Sequence, residues 1–113
     1  MPGEVQITTT VARVLRTFLE DVAQPRYGFE LMRLTKLPSG TLYPILARLE
    51  SAGWLASDLE EIDPATLGRP VRRMYRISPQ SAQIARQELA AISEELRPPA
   101  AAPGRLFPRG GIA

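Results

Sequence analysis

The sequence predicts a mainly α-helical chain carrying one small β-hairpin, an α+β arrangement, and three observations predict it. Apolar residues recur at helical offsets in three successive segments before residue 53. Two short strand-like segments then flank a loop rich in proline and glycine. A Ser-Pro pair after the second strand opens one more helical pattern.

The first helix is read from Val11, Val14, Leu15, Phe18, Leu19 and Val22, which form one apolar stripe. Thr8, Thr9 or Thr10 can cap its start, and Gln24-Pro25 is expected to end it, because the residue before proline is pushed out of the helical region. Residues 27–35 form a shorter helix with Tyr27, Leu31 and Leu34 on one face and Phe29 and Met32 on its flank. Leu37-Pro38-Ser39-Gly40 is a break of turn residues. Leu42, Ile45, Leu46 and Leu49 restore the helical stripe, and Gly53 supplies a C-terminal cap. Pro44 is tolerated only near a helix start, which places that start between Pro38 and Thr41.

Residues 54–62 read as a first strand and 71–77 as a better second one. In the second, Val71, Arg73, Tyr75 and Ile77 share one face, and Arg72, Met74 and Arg76 the other. Residues 63–70 are the loop between them, so the unit is a hairpin with a long, partly basic tip. Ser78 caps the last helix, Ala82, Ala85, Leu89, Ile92 and Leu96 make a seam near heptad spacing, and Pro98-Pro99 stops it. Two short helices separated by a tight break, followed by such a hairpin, make a winged helix-turn-helix. The expected organisation is a winged domain over 8–77, a C-terminal dimerisation helix over 78–97 and a flexible tail over 98–113.

Composition narrows the chemistry. The 113 residues contain no cysteine and no histidine, which removes disulfides and Cys/His metal sites. With a single lysine, Lys36, and no nucleotide-binding glycine loop, no catalytic constellation is visible, and no cofactor or metal is expected. No apolar run approaches the ~20 residues that span a bilayer, and no signal peptide is evident at the start, so a cytoplasmic location is expected. The net charge is only +2. Its distribution is more telling: Asp58, Glu60, Glu61 and Asp63 precede Arg69, Arg72, Arg73 and Arg76. A local basic cluster can bind phosphate on a near-neutral chain.

Segment 37–53 is the expected recognition helix. With its apolar stripe packed inward, Ser39, Gly40, Thr41, Tyr43, Pro44, Ala47 and Arg48 face outward or lie at the edge. Small and hydroxyl residues permit close approach to DNA, tyrosine can donate to a phosphate, and arginine can reach a phosphate or a guanine edge. Two alternatives stay open for these side chains: Tyr43 packs at a core edge, and Arg48 is simply solvated. The wing arginines equally have two readings. They pair with the acids of the first strand, or Arg72 and Arg76 pair while Arg69 at the tip stays free for DNA. A winged helix used for protein–protein contact is the competing function.

The stretch Tyr27-Gly28-Phe29-Glu30-Leu31, then Gly40-Thr41-Leu42-Tyr43-Pro44-Ile45-Leu46-Ala47-Arg48-Leu49-Glu50, Gly53-Trp54-Leu55 and Gly68-Arg69-Pro70 through Arg73, Tyr75, Arg76 and Ile77, resembles the PadR family of bacterial transcriptional regulators. Met74 departs from it, standing where a second aromatic is frequent. With one helix after the wing, the chain resembles the family's short branch. The resemblance implies a homodimeric repressor on a pseudo-palindromic operator, with recognition helices in the major groove and wings on flanking DNA. It implies DNA contacts from Ser39, Gly40, Thr41, Tyr43, Pro44, Arg48, Arg69, Arg72 and Arg73, with Glu30 and Glu50 structural. It implies dimerisation through the first and last helices, here Val11, Val14, Leu15, Ala85, Leu89, Ile92 and Leu96. The partners are then double-stranded DNA and a second copy of the chain, with room for a small-molecule effector of unknown identity. The last helix lacks aromatic residues, so a flat aromatic effector is not expected there.

Overall fold

The computed structural model describes residues 2–102. The elements run α1 (Thr9–Leu19), β1 (Arg26–Tyr27), α2 (Gly28–Thr35), α3 (Ser39–Ser51), β2 (Leu55–Leu59), α4 (Pro64–Leu67), β3 (Arg73–Ile77) and α5 (Pro79–Glu95). The fold is a winged helix, with helices packed on one side of a three-stranded antiparallel sheet of order β1-β3-β2. Tyr75 of β3 pairs with Ser57 on one side and Arg26 on the other.

α1 begins where expected, with the Thr8 side chain accepting from the Val11 amide at 3.3 Å. It stops earlier than Gln24-Pro25. The Asp21 carboxylate accepts from the Ala23 amide at 3.3 Å and its carbonyl from the Gln24 amide at 3.0 Å, an aspartate turn that competes with further helix. Within α2 the inward side chains are Leu31 and Thr35, whereas Leu34, grouped with Leu31 on one face in the sequence, is 39% exposed and Phe29 72%. Thr35 lies four residues after Leu31 and so shares its inward face, and α2 ends at Lys36 in the left-handed region at φ 61°. The Thr35 hydroxyl donates to the Leu31 carbonyl at 2.6 Å and accepts from the Leu37 amide at 3.3 Å, while its carbonyl accepts from Arg13 at 3.2 Å. This buried knot is the turn of the helix-turn-helix.

α3 starts at Ser39, inside the window set by Pro44, and buries Leu42, Ile45, Leu46 and Leu49. It ends in a Schellman arrangement: the Gly53 amide donates to the Glu50 carbonyl (3.0 Å) and the Trp54 amide to that of Leu49 (2.9 Å). Gly53 takes φ +83°, which explains a glycine there. The strands are shorter than the alternation suggested, leaving Ile62 and Val71 outside them. The loop holds a turn of helix, α4, capped by Asp63 and closed by Gly68 at φ +69°.

Ser78 caps α5 by accepting from the Ser81 amide at 3.1 Å. Ala82 and Ala85 are buried in the same core as Val11, Val14, Leu15, Phe18, Leu46 and Trp54. The first half of α5 therefore belongs to the winged domain, and the expected boundary between 77 and 78 does not divide the packing. Residues 2–8, passed over in the sequence reading, form an arm: the Gly3 amide donates to Ala52 at 2.6 Å, the Trp54 indole donates to the Gly3 carbonyl at 2.6 Å, and Val5 and Ile7 pack on the core. Residues 98–102 lie outside any helix or strand and are exposed. The rest of the expected tail, 103–113, lies outside the described residues.

Candidate nucleic-acid interface

α3 presents one polar edge because its apolar residues occupy positions i, i+3, i+4 and i+7. Ser39, Gly40, Pro44, Ala47 and Arg48 are exposed and Thr41 is half-buried. Tyr43 is 43% exposed: part of its side chain is covered and part faces out. The Arg48 side chain makes no ion pair or hydrogen bond among the described residues and stands at the surface. Pro44 lacks the amide that would donate to the Gly40 carbonyl in a regular helix.

The wing is more self-engaged than the sequence suggests. Of the two readings left open for Arg69, the structure shows the paired one: it folds back onto Glu60 in a two-pronged pair at 2.7 and 3.1 Å. The Glu60 carboxylate also accepts from the Arg72 amide at 3.0 Å, and the Glu60 amide donates to the Arg72 carbonyl at 2.9 Å. The Arg69 hydrogen bond is the chief reason that the Glu60 carboxyl lies below the usual glutamate range, and the same bond raises Arg69. Arg72 stacks over the Tyr27 ring at 3.9 Å, a cation–π contact. Arg73 donates to the Ser57 hydroxyl (3.0 Å), which donates to Glu50 (2.8 Å), tying the wing to the end of α3. The wing arginines are thus held in place from the root, and none of these pairs is deeply buried.

Between α3 and the wing runs an open groove of about 420 Å³, lined by Tyr27, Gly28, Phe29, Tyr43, Tyr75 and residues 69–73. All three tyrosines of the chain meet here. Burial pushes the Tyr75 hydroxyl pKa up, helped by the Glu50 carboxylate, so it stays neutral as a donor. Tyr27 and Gly28 were named in the sequence without a role at this surface. The pairing of Arg69 with Glu60 was foreseeable only as one of several acid–arginine combinations, and nothing local marks Gly28 as a contact point. Glu30 does serve locally, pairing with Arg26 at 3.1 Å and accepting from the Tyr27 amide at 3.4 Å.

The residues expected at a subunit interface divide into two groups. Val11, Val14, Leu15 and Ala85 are at most 1% exposed within the single chain, so a partner has nothing left to cover there. Heptad-like spacing fits an intrachain core as well as a seam between chains. Leu89 and Ile92 are half-buried and Leu96 is 74% exposed. Among the described residues no cluster of acidic side chains can hold a metal ion, and no helix is long and apolar enough to cross a membrane.

Among curated proteins no sequence matches this chain. Among solved structures, AbfR of Staphylococcus epidermidis is similar over 80% of this chain and 56% of its own, with 26% identity and a TM-score of 0.63. Reduced AbfR bound to DNA is similar over 80% and 60%, with 28% identity and a TM-score of 0.63. This chain thus spans less than two thirds of the AbfR chains it matches. A PadR-like transcription factor from Bacteroides fragilis shares the fold over 78% of this chain and 82% of its own (22% identity, TM-score 0.61). The sequence matches the PadR-like family of transcriptional regulators over residues 17–87, from the last turn of α1 into α5. The protein belongs to the PadR-like family of transcriptional regulators, a family of regulators and not of enzymes.

Proposed function

We propose that this regulator binds double-stranded DNA as a homodimeric repressor. α3 enters the major groove, with Ser39, Gly40, Thr41, Tyr43, Pro44 and Arg48 at the DNA. The wing arginines Arg69, Arg72 and Arg73 lie along the flanking backbone. The observation that carries this is the exposed polar edge of α3, small and hydroxyl-bearing at its start and cationic at Arg48, set beside an arginine-bearing wing. The likeness to AbfR, solved bound to DNA, supports it. Two copies joined through the outer half of α5 would set two recognition helices about one helical turn, ~34 Å, apart on a pseudo-palindromic site.

The test selects bound duplexes from a random-sequence pool and measures the affinity of the selected site against salt. Each phosphate contact contributes about −0.9 to the slope of log affinity against log salt. Arg48→Ala lowers the steepness of that slope by about 1 if Arg48 meets a phosphate. If Arg48 meets a base, the variant relaxes specificity at one position instead. A chain that selects no duplex, or whose binding ignores salt, refutes the reading and favours a protein-binding module.

A further inference from the structure

Gly28 opens α2 at a backbone conformation that any residue can adopt, so its lack of a side chain is not explained by φ. It is explained by what lies against it. A Cβ at this position would overlap the Tyr43 hydroxyl, and would stand 2.7 Å from Cζ and 2.9 Å from Cε1 of the same ring. Carbon atoms in contact normally sit about 3.5–4.0 Å apart. The end of the Tyr43 ring therefore occupies the space that a side chain at 28 would fill. Gly28 is itself buried, while Tyr43 is 43% exposed on its other side. The three atoms nearest to such a Cβ all belong to the Tyr43 side chain.

From this we infer that Gly28 is a positioning residue for DNA recognition: by having no side chain it seats the Tyr43 phenol against the start of α2, and so fixes where the hydroxyl points from the reading edge of α3. The inference rests on the DNA-binding reading above. It needs no change in the fold, because the obstructing group is the far end of a flexible side chain. A methyl at 28 displaces the ring into solvent rather than moving backbone, so the binding surface changes while the core does not. Tyr43 is otherwise an exposed tyrosine with several accessible rotamers, and a hydroxyl free to sample them loses affinity on being ordered.

The experiment measures the affinity of the wild type, Gly28→Ala, Tyr43→Ala and the double variant for a duplex selected by the wild type from a random pool, with a thermal melt of each. A hydrogen bond to a charged phosphate sets the scale at about tenfold. Gly28→Ala and Tyr43→Ala each weaken binding by about that factor, and the double variant binds no more weakly than Tyr43→Ala alone. If Gly28→Ala fails to fold, the double variant regains the melt of Tyr43→Ala, since removing the ring removes the clash. The inference is overturned if Gly28→Ala or Tyr43→Ala binds like the wild type. It is overturned equally if Gly28→Ala weakens binding by the same factor when Tyr43 is already absent, or if the double variant also fails to fold. A wild type that selects no duplex removes the DNA-binding reading and this inference with it; the other failures leave that reading standing.

Discussion

Replacing Thr35 by valine removes the hydroxyl that knots the turn between α2 and α3 while keeping the side-chain shape. Thr35 is 1% exposed, and its hydroxyl both donates to the Leu31 carbonyl and accepts from the Leu37 amide. The Leu31 carbonyl can fall back on its place in the helix, but the Leu37 amide, in a residue only 6% exposed, has no second acceptor among the described contacts. An orphaned buried donor costs about 1–3 kcal/mol. Taking ~2 kcal/mol, a domain of this size loses roughly 8–16 °C of melting temperature. Thr35→Ser keeps both bonds and gives up one methyl, about 1 kcal/mol, so it is the milder change. Melting followed by far-UV circular dichroism ranks the three proteins wild type, serine, valine. A ranking with valine above serine would mean that the pocket holds Thr35 by shape alone, and would refute the argument.

Glu60→Gln breaks the two-pronged pair with Arg69 at the wing root. Because folding depresses the Glu60 pKa from its ordinary 4.5, that contact contributes above the ordinary range and is lost as pH falls through the depressed value. An acid transition in the Arg69 guanidinium NMR signals is therefore expected in the wild type below about pH 4.5 and absent in Glu60→Gln; if it persists, another carboxylate such as Asp63 causes it. Ile92→Glu and Leu96→Glu each place a charge on the outer half of α5 without touching the core. Sedimentation should show them as monomers beside a dimeric wild type, and dimeric variants would place the subunit contact elsewhere.

How far the sequence spoke for the structure depended on whether the deciding interaction was local. The α3 stripe, the Pro44 limit on the helix start, the Gly53 cap and the Ser78 cap are all settled within a turn or two of the residue concerned, and each was readable. β1 was not, because two residues carry no alternation and their partner, β3, lies far along the chain. The pairing of Arg69 depended on how α4 folds the loop back towards Glu60. The seam in α5 was visible, but spacing alone cannot say whether its partner is α1 of the same chain or a second chain; packing assigns Ala82 and Ala85 to the first. At the candidate interface, the outward edge of α3 followed from periodicity, whereas the role of Gly28 needed the Tyr43 ring in place.

The arm of residues 2–8 also gives the protein a spectroscopic handle. Trp54 is the sole tryptophan of the chain, 4% exposed, with its indole N–H bonded to the Gly3 carbonyl. Its emission therefore comes from a single site and reads out the docking of the N-terminus, reddening when the arm detaches and water reaches the ring. Trp54 also lines one groove together with Ile84 and Glu88 of α5. One unlabelled fluorophore thus reports on the arm and on the helix beside it, so that titrations with DNA or with the protein itself can be followed without adding a dye.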